Sequence, residues 1–176
     1  MKRLFLAIAP DAGQLEQLTQ LQASLDGEGR LVPRDNLHMT LAFLGQCSEA
    51  QQEALSESLA RLAHQRRLPA FEVTLNTLEH WVKPKILCLK GAARDPGLIS
   101  LFNHCQRLAQ QLGLHTSEHS FTPHITLMRK AKMLPELKAP SLTLSGHALH
   151  LYHSQSSEQG VQYKVLASWP LTAPKA

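Results

Sequence analysis

The sequence predicts an α+β protein whose antiparallel sheets are covered on the outside by helices. Strand-like segments with apolar residues at every second position are interleaved with helix-like segments, and several strands follow one another directly. No linker, low-complexity stretch or charge run divides the chain, so we predict one domain over residues 1–176. The pattern His-x-Thr-Leu occurs once in each half, which indicates two similar lobes that meet at a shared site.

The composition indicates a soluble chain in a reducing compartment. Lys and Arg number 18 against 14 Asp and Glu, and the net charge of +4 permits an anionic partner without requiring one. Cys47, Cys88 and Cys105 form no Cys-x-x-Cys pair, so we interpret them as small apolar side chains. The apolar run at 4–9 is too short for a secretory signal, and no run approaches the roughly 20 residues of a membrane span. We expect a cytoplasmic protein without membrane contact.

The N-terminal half is predicted to begin with a strand at residues 3–9, followed by a helix. Asp11 and Gln14 have the spacing of a capping box, in which each side chain bonds the backbone N–H of the other residue. We therefore predict that the helix begins after Asp11. Gly27 and Gly29 are predicted to end it.

A turn at 33–36 leads into the first motif strand, which is predicted over 37–45. The next helix is predicted to begin at Ser48, because Gln51 completes a second capping box. Pro69 is expected to stop this helix, since proline cannot continue it.

The C-terminal half is predicted to use the same kinds of element. Alternating apolar residues predict a strand at 71–76, and a further strand is predicted at 85–90. A helix follows, with Asp95 as its cap, Pro96 at its first position and Gly113 at its end.

The chain is predicted to end in strands. The second motif strand covers 121–129, and two further strands are predicted at 141–153 and 160–168. The parity of the apolar residues changes near Gly146, which predicts a β-bulge there.

The repeated motif presents the same two polar groups twice. It occurs at residues 38–41 and again at 124–127, which are 86 residues apart. Side chains alternate between the two faces of a strand, so the His and Thr of each copy point one way and the two apolar residues point the other. Each copy therefore buries two apolar side chains and exposes an imidazole beside a hydroxyl.

These groups are suited to acid–base chemistry at phosphorus. His38 and His124 can serve as base and acid, because an imidazole has a pKa of about 6.5. The hydroxyls of Thr40 and Thr126 can donate hydrogen bonds to an oxyanion, and Arg129 offers the forked donors that suit a phosphate. Arg129 has the opposite parity to His124, so we expect it to reach the site from the strand end or across a bulge.

Other chemistries have less support in the sequence. Neither motif carries a second metal ligand, and His115 and His119 follow the helix-ending Gly113 in a polar loop, so we predict no metal site and no cofactor. The chain has no Gly-x-Ser-x-Gly, no cysteine beside a motif and no Walker loop.

Residues 33–45 and 121–129 resemble the paired motifs of the two-histidine phosphoesterases. More narrowly, they resemble those of the bacterial RNA 2′,3′-cyclic phosphodiesterases, also called 2′-5′ RNA ligases. The resemblance extends nearly from end to end. One departure is His119-Ser120-Phe121, where family members often carry Arg-x-Phe before the second motif. That departure bears on a cationic contact to the RNA strand and not on the catalytic core.

The resemblance implies a bilobal fold with one motif in each lobe and antiparallel sheets that line a central cleft. It also implies metal-free hydrolysis of an RNA 2′,3′-cyclic phosphate to a 2′-phosphomonoester. In this family's usual assignment His38 protonates the departing 3′ oxygen and His124 activates water, although the sequence itself leaves the two roles open. Thr40, Thr126 and Arg129 would hold the phosphate.

The resemblance also indicates the partner. We expect RNA or a nucleotide with a 2′,3′-cyclic phosphate as substrate, no obligate protein partner, and a monomer. Phe43 or Phe121 would stack on a base, although core packing is the favoured interpretation for Phe43. Two alternatives stay open: reversible 2′-5′ ligation of RNA ends, and a non-catalytic module that binds RNA ends.

Overall fold

The computed structural model describes residues 1–25 and 28–173, so the predicted helix end at Gly27 lies outside the described residues. The helices are α1 (Ala12–Ala23), α2 (Glu49–His64) and α3 (Pro96–Gln111), and a 3-10 turn covers Arg34–Asn36. The strands are β1 (Lys2–Ile8), β2 (Arg30–Leu31), β3 (Met39–Cys47), β4 (Phe71–Trp81), β5 (Ile86–Gly91), β6 (His124–Arg129), β7 (Leu142–Gly146), β8 (Ala148–Ser157) and β9 (Gly160–Pro170).

The strands form two antiparallel sheets. One has the order β3-β1-β8-β9, and the other has the order β2-β6-β5-β4-β7. The helices pack on these sheets: α1 contacts β6 and β7, α2 contacts β9, and α3 contacts both β3 and β4. The predicted α+β class with antiparallel sheets is therefore confirmed. The two motif strands lie in different sheets, and β3 and β6 contact each other.

The helices begin where the sequence predicts. Asp11 and Gln14 form a reciprocal capping box at α1, with both hydrogen bonds at 2.8 Å. Ser48 and Gln51 form the same arrangement at α2, at 2.9 and 3.1 Å, and the side chain of Asp95 caps α3. These local bonds satisfy backbone N–H groups that a helix leaves unpaired at its start, so the start can be deduced from a few neighbouring residues.

The predicted single strand at 141–153 is wrong. β7 ends at Gly146 and pairs with β4, whereas β8 begins at Ala148 and pairs with β1 in the other sheet. The change of apolar parity near Gly146 marks this passage between sheets and not a bulge. Glycine is required at the passage, because a Cβ at position 146 would come within 2.2 Å of the Phe71 ring.

The main core and His38 lie on opposite faces of the first sheet. The largest buried cluster contains side chains from both sheets and from all three helices, including Leu4 and Leu6 of β1. Phe5 and Ala7 alternate with those leucines and form a separate buried cluster with Tyr152. His38 lies against this second cluster. In the described part of the chain, no helix is long and apolar enough to cross a membrane.

Candidate active site

The ring of His38 is held in one tautomer immediately before β3. Its Nδ1 lies 2.7 Å from the carbonyl oxygen of Asn36, and its Nε2 lies 2.7 Å from the hydroxyl of Thr40. A carbonyl can only accept, so Nδ1 carries the proton and Nε2 accepts a hydrogen bond from Thr40. The side chain of Asn36 in turn donates to the carbonyl of Val161 in β9 over 2.8 Å, which anchors the turn that orients His38.

His124, the first residue of β6, is held in the same way. Its Nδ1 donates to the carbonyl oxygen of Thr122 over 2.8 Å, so Nε2 is again the nitrogen left for a ligand. Thr122 and Asn36 each lie two residues before their histidine. The two motifs therefore present their imidazoles through the same nitrogen.

Aromatic rings enclose His38. The ring centroids of Phe5, Tyr163 and Tyr152 lie 4.8, 5.3 and 6.3 Å from the His38 centroid. Burial among them lowers the pKa of His38 to about 4; the hydrogen bond to Asn36 acts in the opposite direction, and the charges of Arg129 and His124 lower the pKa further. Those two charges belong to the other motif strand, β6, and β6 contacts β3 directly.

His124 has a different neighbour, the indole of Trp81 at the end of β4. The two ring centroids lie 4.5 Å apart. The Trp81 N–H donates to Glu79, which also forms an ion pair with Lys90 at 2.9 Å. Burial lowers the pKa of His124, and the hydrogen bond to Thr122 raises it.

A β-bulge lets Arg129 follow the face of His124. The pairing of β6 with β5 passes from Thr126 directly to Met128, so Leu127 is an extra residue in the ladder. One extra residue reverses the parity beyond it, and Met128 is buried while Arg129 is exposed. Arg129 has both features that the sequence offered, since it is the last residue of β6 and lies beyond a bulge.

The two candidate stacking residues differ in exposure. Phe43 is 39% exposed, with the Arg3 guanidinium 5.1 Å from its ring centroid, so the expectation of core packing at Phe43 is wrong. Phe121 is half-buried and packs against Phe102 of α3, with 4.4 Å between the ring centroids. Of the two rings, that of Phe43 is the more exposed.

The cysteines have the environment that the sequence predicts. Cys47, Cys88 and Cys105 are buried and free, and burial raises the pKa of Cys88 and Cys105 to about 12 and raises that of Cys47 as well. These thiols lack the thiolate character of a nucleophile. Within residues 1–25 and 28–173, no three His, Cys, Asp or Glu side chains are grouped as metal ligands.

The aromatic residues around the histidines follow from no pattern in the sequence. They are Phe5, Trp81, Tyr152 and Tyr163. They come from four strands and have no common spacing from either motif. The one signal in the sequence is that aromatic residues are rare, at 5% of the chain. Both tyrosines of the sequence lie against His38.

A groove opens beside Asn36, which bonds His38, and beside Arg129 at the end of β6. It has a volume of about 530 Å³, and its walls include Arg129, Tyr163, Asn36 and Arg30. The charged side chains of its lining are two arginines and Glu158, so the groove is positive on balance, which suits an anionic chain.

Two histidines in the same tautomer, a nearby arginine and a basic groove define a phosphoesterase site. Residues 8–87 match the family described as LigT-like phosphoesterase. The chain is 35% identical over 175 residues to the RNA 2′,3′-cyclic phosphodiesterase of Escherichia coli, with 97% of each chain covered. This chain belongs to the LigT-like phosphoesterase family.

Solved structures agree with this assignment. The structure is similar to E. coli LigT in its apo form, with a TM-score of 0.85, 35% identity, and 97% of this chain and 98% of that chain covered. It is also similar to E. coli LigT complexed with 3′-AMP, with a TM-score of 0.86 and the same identity and coverage. The two-histidine phosphoesterase fold predicted from the motifs is therefore confirmed.

Proposed function

We propose that this protein hydrolyses RNA 2′,3′-cyclic phosphate ends to 2′-phosphomonoesters, with His38 and His124 as the acid–base pair. One observation carries the proposal: both imidazoles have Nδ1 bonded to a backbone carbonyl and Nε2 left for proton transfer, on two motif strands that contact each other. Two such rings at one site can take a proton on one side of a phosphorus atom and deliver one on the other. The name of the E. coli relative supports the same reaction.

The proposed reaction is an in-line displacement at phosphorus. Nε2 of His124 takes a proton from water while the water oxygen bonds to phosphorus. The bond from phosphorus to the 3′ oxygen breaks. His38 takes up a proton from solvent at Nε2 when the anionic substrate binds, and as an imidazolium it delivers that proton to the 3′ oxygen. The proton that His124 has gained then returns to solvent. The products are a 2′-phosphomonoester and a 3′-hydroxyl. The backbone carbonyls of Asn36 and Thr122 accept a hydrogen bond from Nδ1 of each ring, so each transfer takes place at Nε2.

Thr40, Thr126 and Arg129 are proposed to hold the phosphate. The Thr40 hydroxyl already lies 2.7 Å from Nε2 of His38, so it would turn from the imidazole to a phosphate oxygen when substrate binds. A bound phosphate anion would raise the pKa of both histidines, because negative charge favours an imidazolium. It would thereby offset the charge of Arg129, which lowers the pKa of His38 in the free protein.

The rest of the substrate is proposed to be the RNA strand. Phe43, with its exposed ring, is proposed to stack on a base, and the groove with Arg30 and Arg129 is proposed to take the anionic backbone. We propose that residues 1–176 act as one bilobal unit and as a monomer. The three buried free thiols support a reducing, cytoplasmic location.

The test is turnover of a nucleoside 2′,3′-cyclic phosphate in the presence of excess EDTA. We expect hydrolysis at an undiminished rate, because every proton transfer is assigned to a side chain. Activity that disappears in EDTA and returns with zinc or magnesium would contradict the metal-free reaction. Binding of RNA ends without turnover would instead favour the non-catalytic module.

The same assay with RNA that has a 5′-hydroxyl end measures ligation. A 5′-hydroxyl can replace water as the nucleophile, and the product is then a 2′-5′ linkage. We expect hydrolysis to dominate, because water is present in large excess over any RNA end.

A further inference from the structure

Both motif strands contain a β-bulge at the leucine that follows the threonine. In β3 the pairing with β1 skips Leu41, and in β6 the pairing with β5 skips Leu127. The extra residue of a bulge is left out of the ladder with its partner strand, so its backbone groups need other hydrogen-bond partners. The carbonyl of Leu127 accepts one such bond from the backbone N–H of Val32 over 2.9 Å.

A helix glutamine donates to each of these bulges. Nε2 of Gln106 on α3 donates to the carbonyl of Leu41 over 3.1 Å, and Nε2 of Gln22 on α1 donates to the carbonyl of Leu127 over 3.0 Å. Gln22 is 5% exposed and also donates to the carbonyl of Val32 over 2.9 Å. An amide nitrogen has two hydrogens, so Gln22 can form both bonds at once.

The two glutamines occupy corresponding places in the two halves of the chain. They are 84 residues apart, close to the 86 residues between the motifs, and the caps of their helices, Asp11 and Asp95, are also 84 apart. The contacts are nevertheless crossed. Gln22, in the N-terminal half, holds the bulge of the C-terminal motif, and Gln106 holds the bulge of the N-terminal motif.

Each bulge determines which of the residues after the motif has its side chain on the same face of the strand as the histidine. In a regular strand, Met128 would share the face of His124 and Thr126. With the bulge, Met128 instead joins a small apolar cluster with Leu87 and Ala131, and the charge of Arg129 acts on His38.

We propose that Gln22 and Gln106 are positioning residues, each of which holds the bulge of the opposite motif and so sets how the two motifs face each other across the substrate. This inference rests on the proposed function. Gln22 acts through Leu127 on Arg129, and Gln106 acts through Leu41 on Thr40 and His38. Neither glutamine touches the reacting atoms.

The first experiment uses Gln106 and a matched control. The amide of Gln106 donates to Leu41 and accepts from the backbone N–H of Ser117 at 2.9 Å. The amide of Gln51 likewise donates to Leu112 at 3.0 Å and accepts from the backbone N–H of Ser48 at 2.9 Å, and neither bond involves a motif residue. Gln106→Met and Gln51→Met thus remove equivalent hydrogen bonds, and we expect similar losses in Tm from the two changes.

Their kinetics should differ. We expect Gln106→Met to lower kcat on a nucleoside 2′,3′-cyclic phosphate about tenfold or more with KM within about threefold, because small displacements of catalytic groups are costly. Gln51→Met should keep kcat within about twofold. Gln106→Glu keeps the acceptor for Ser117 and loses the donor to Leu41, so it should behave like Gln106→Met.

The second experiment tests the crossed arrangement by double-mutant cycles. Gln22→Met should lower kcat/KM in the wild-type background but have little further effect in Arg129→Ala, because the group that it positions is already gone. It should remain additive with Thr40→Ala, which belongs to the other motif. Should Gln22→Met fail to fold, Gln106→Glu provides the same test. It should have little further effect in Thr40→Ala and should be additive with Arg129→Ala.

Two results would overturn the inference while leaving the proposed function intact. One is a kcat for both Gln106 variants that is no lower than that of Gln51→Met. The other is a glutamine variant that combines additively with both Thr40→Ala and Arg129→Ala. A wild-type protein without turnover would instead refute the proposed function.

Discussion

The strands β3 and β6 carry the same four-residue pattern and have the same local build. In each, Nδ1 of the histidine donates to the carbonyl two residues earlier. In each, the leucine after the threonine forms a bulge, and a helix glutamine donates to its carbonyl. The hydrogen bond at Nδ1 fixes the orientation of each ring and leaves Nε2 for proton transfer. An acid and a base need this equally.

The surroundings of the two strands differ. His38 lies among Phe5 and two tyrosines, and its Nε2 is bonded to Thr40. His124 lies against Trp81, whose N–H is bonded to a glutamate. The fifth residue after each histidine also differs, since it is a phenylalanine in the first half and an arginine in the second.

The comparison shows what the repeated motif contributes to the site and what the surrounding residues contribute. The motif supplies two equivalent proton carriers. The surroundings make them unequal, because the pKa of His38 is lowered by burial and by the charges of Arg129 and His124, whereas that of His124 is lowered by burial alone. Groups of one type can take different roles in a reaction when their environments move their pKa values apart.

The largest effect is expected from removing either proton carrier. His38→Ala and His124→Ala should each lower kcat by about 10²–10⁴-fold, the usual contribution of general acid–base catalysis, and leave KM within several-fold. The measurement is steady-state hydrolysis of a nucleoside 2′,3′-cyclic phosphate. His64→Ala, at the exposed end of α2, is the control and should match the wild type. Full activity in either motif variant would break the comparison, since the two motifs would no longer share the reaction.

Acid should destabilise the protein more through His38 than through His124. The pKa of His38 is about 4 in the folded protein and about 6.5 when unfolded, so the unfolded state binds more protons between these values. Its stabilising contribution is complete above pH 6.5 and is lost as pH falls towards 4, which amounts to about 3 kcal/mol.

Urea unfolding across this pH range measures that loss. The free energy of unfolding should fall less steeply with acid in His38→Gln than in the wild type. His124→Gln should flatten the curve less, because Arg129 does not lower the pKa of that ring. Equal flattening by the two changes would show that the two environments are equivalent in their electrostatics.

The fifth residues should separate phosphate binding from base binding. Arg129→Ala should lower kcat/KM about 10–100-fold through both kcat and KM, because charge-assisted hydrogen bonds contribute about 1.5–3 kcal/mol each. Phe43→Ala should raise KM for a cyclic nucleotide about fivefold or more with kcat unchanged, which is the lower end of what a base–aromatic stack contributes. Phe43→Tyr retains a ring and should resemble the wild type. A fall in kcat for Phe43→Ala as large as that for Arg129→Ala would mean that both positions act on the phosphate.

The sequence by itself determined the local features of this protein. Capping boxes at Asp11 and Ser48 place two helix starts, because the bonds that make them join residues three apart. The alternation of each motif places its histidine and threonine on one face, because strand geometry is the same wherever the strand lies. Thus His38, Thr40, His124 and Thr126 could be proposed as a site before their partners were known.

Tertiary structure decided the features that depend on which strands pair. A change of apolar parity looks the same in the sequence whether a strand bulges or leaves its sheet. At Gly146 the chain passes to the other sheet, whereas at Leu127 it bulges within one. The aromatic neighbours of His38 come from β1, β8 and β9, and no local pattern links them to the motif. The pKa values of the two imidazoles differ for the same reason. His38 is buried, and lies close enough to Arg129 to be affected by its charge, only once distant strands have packed together.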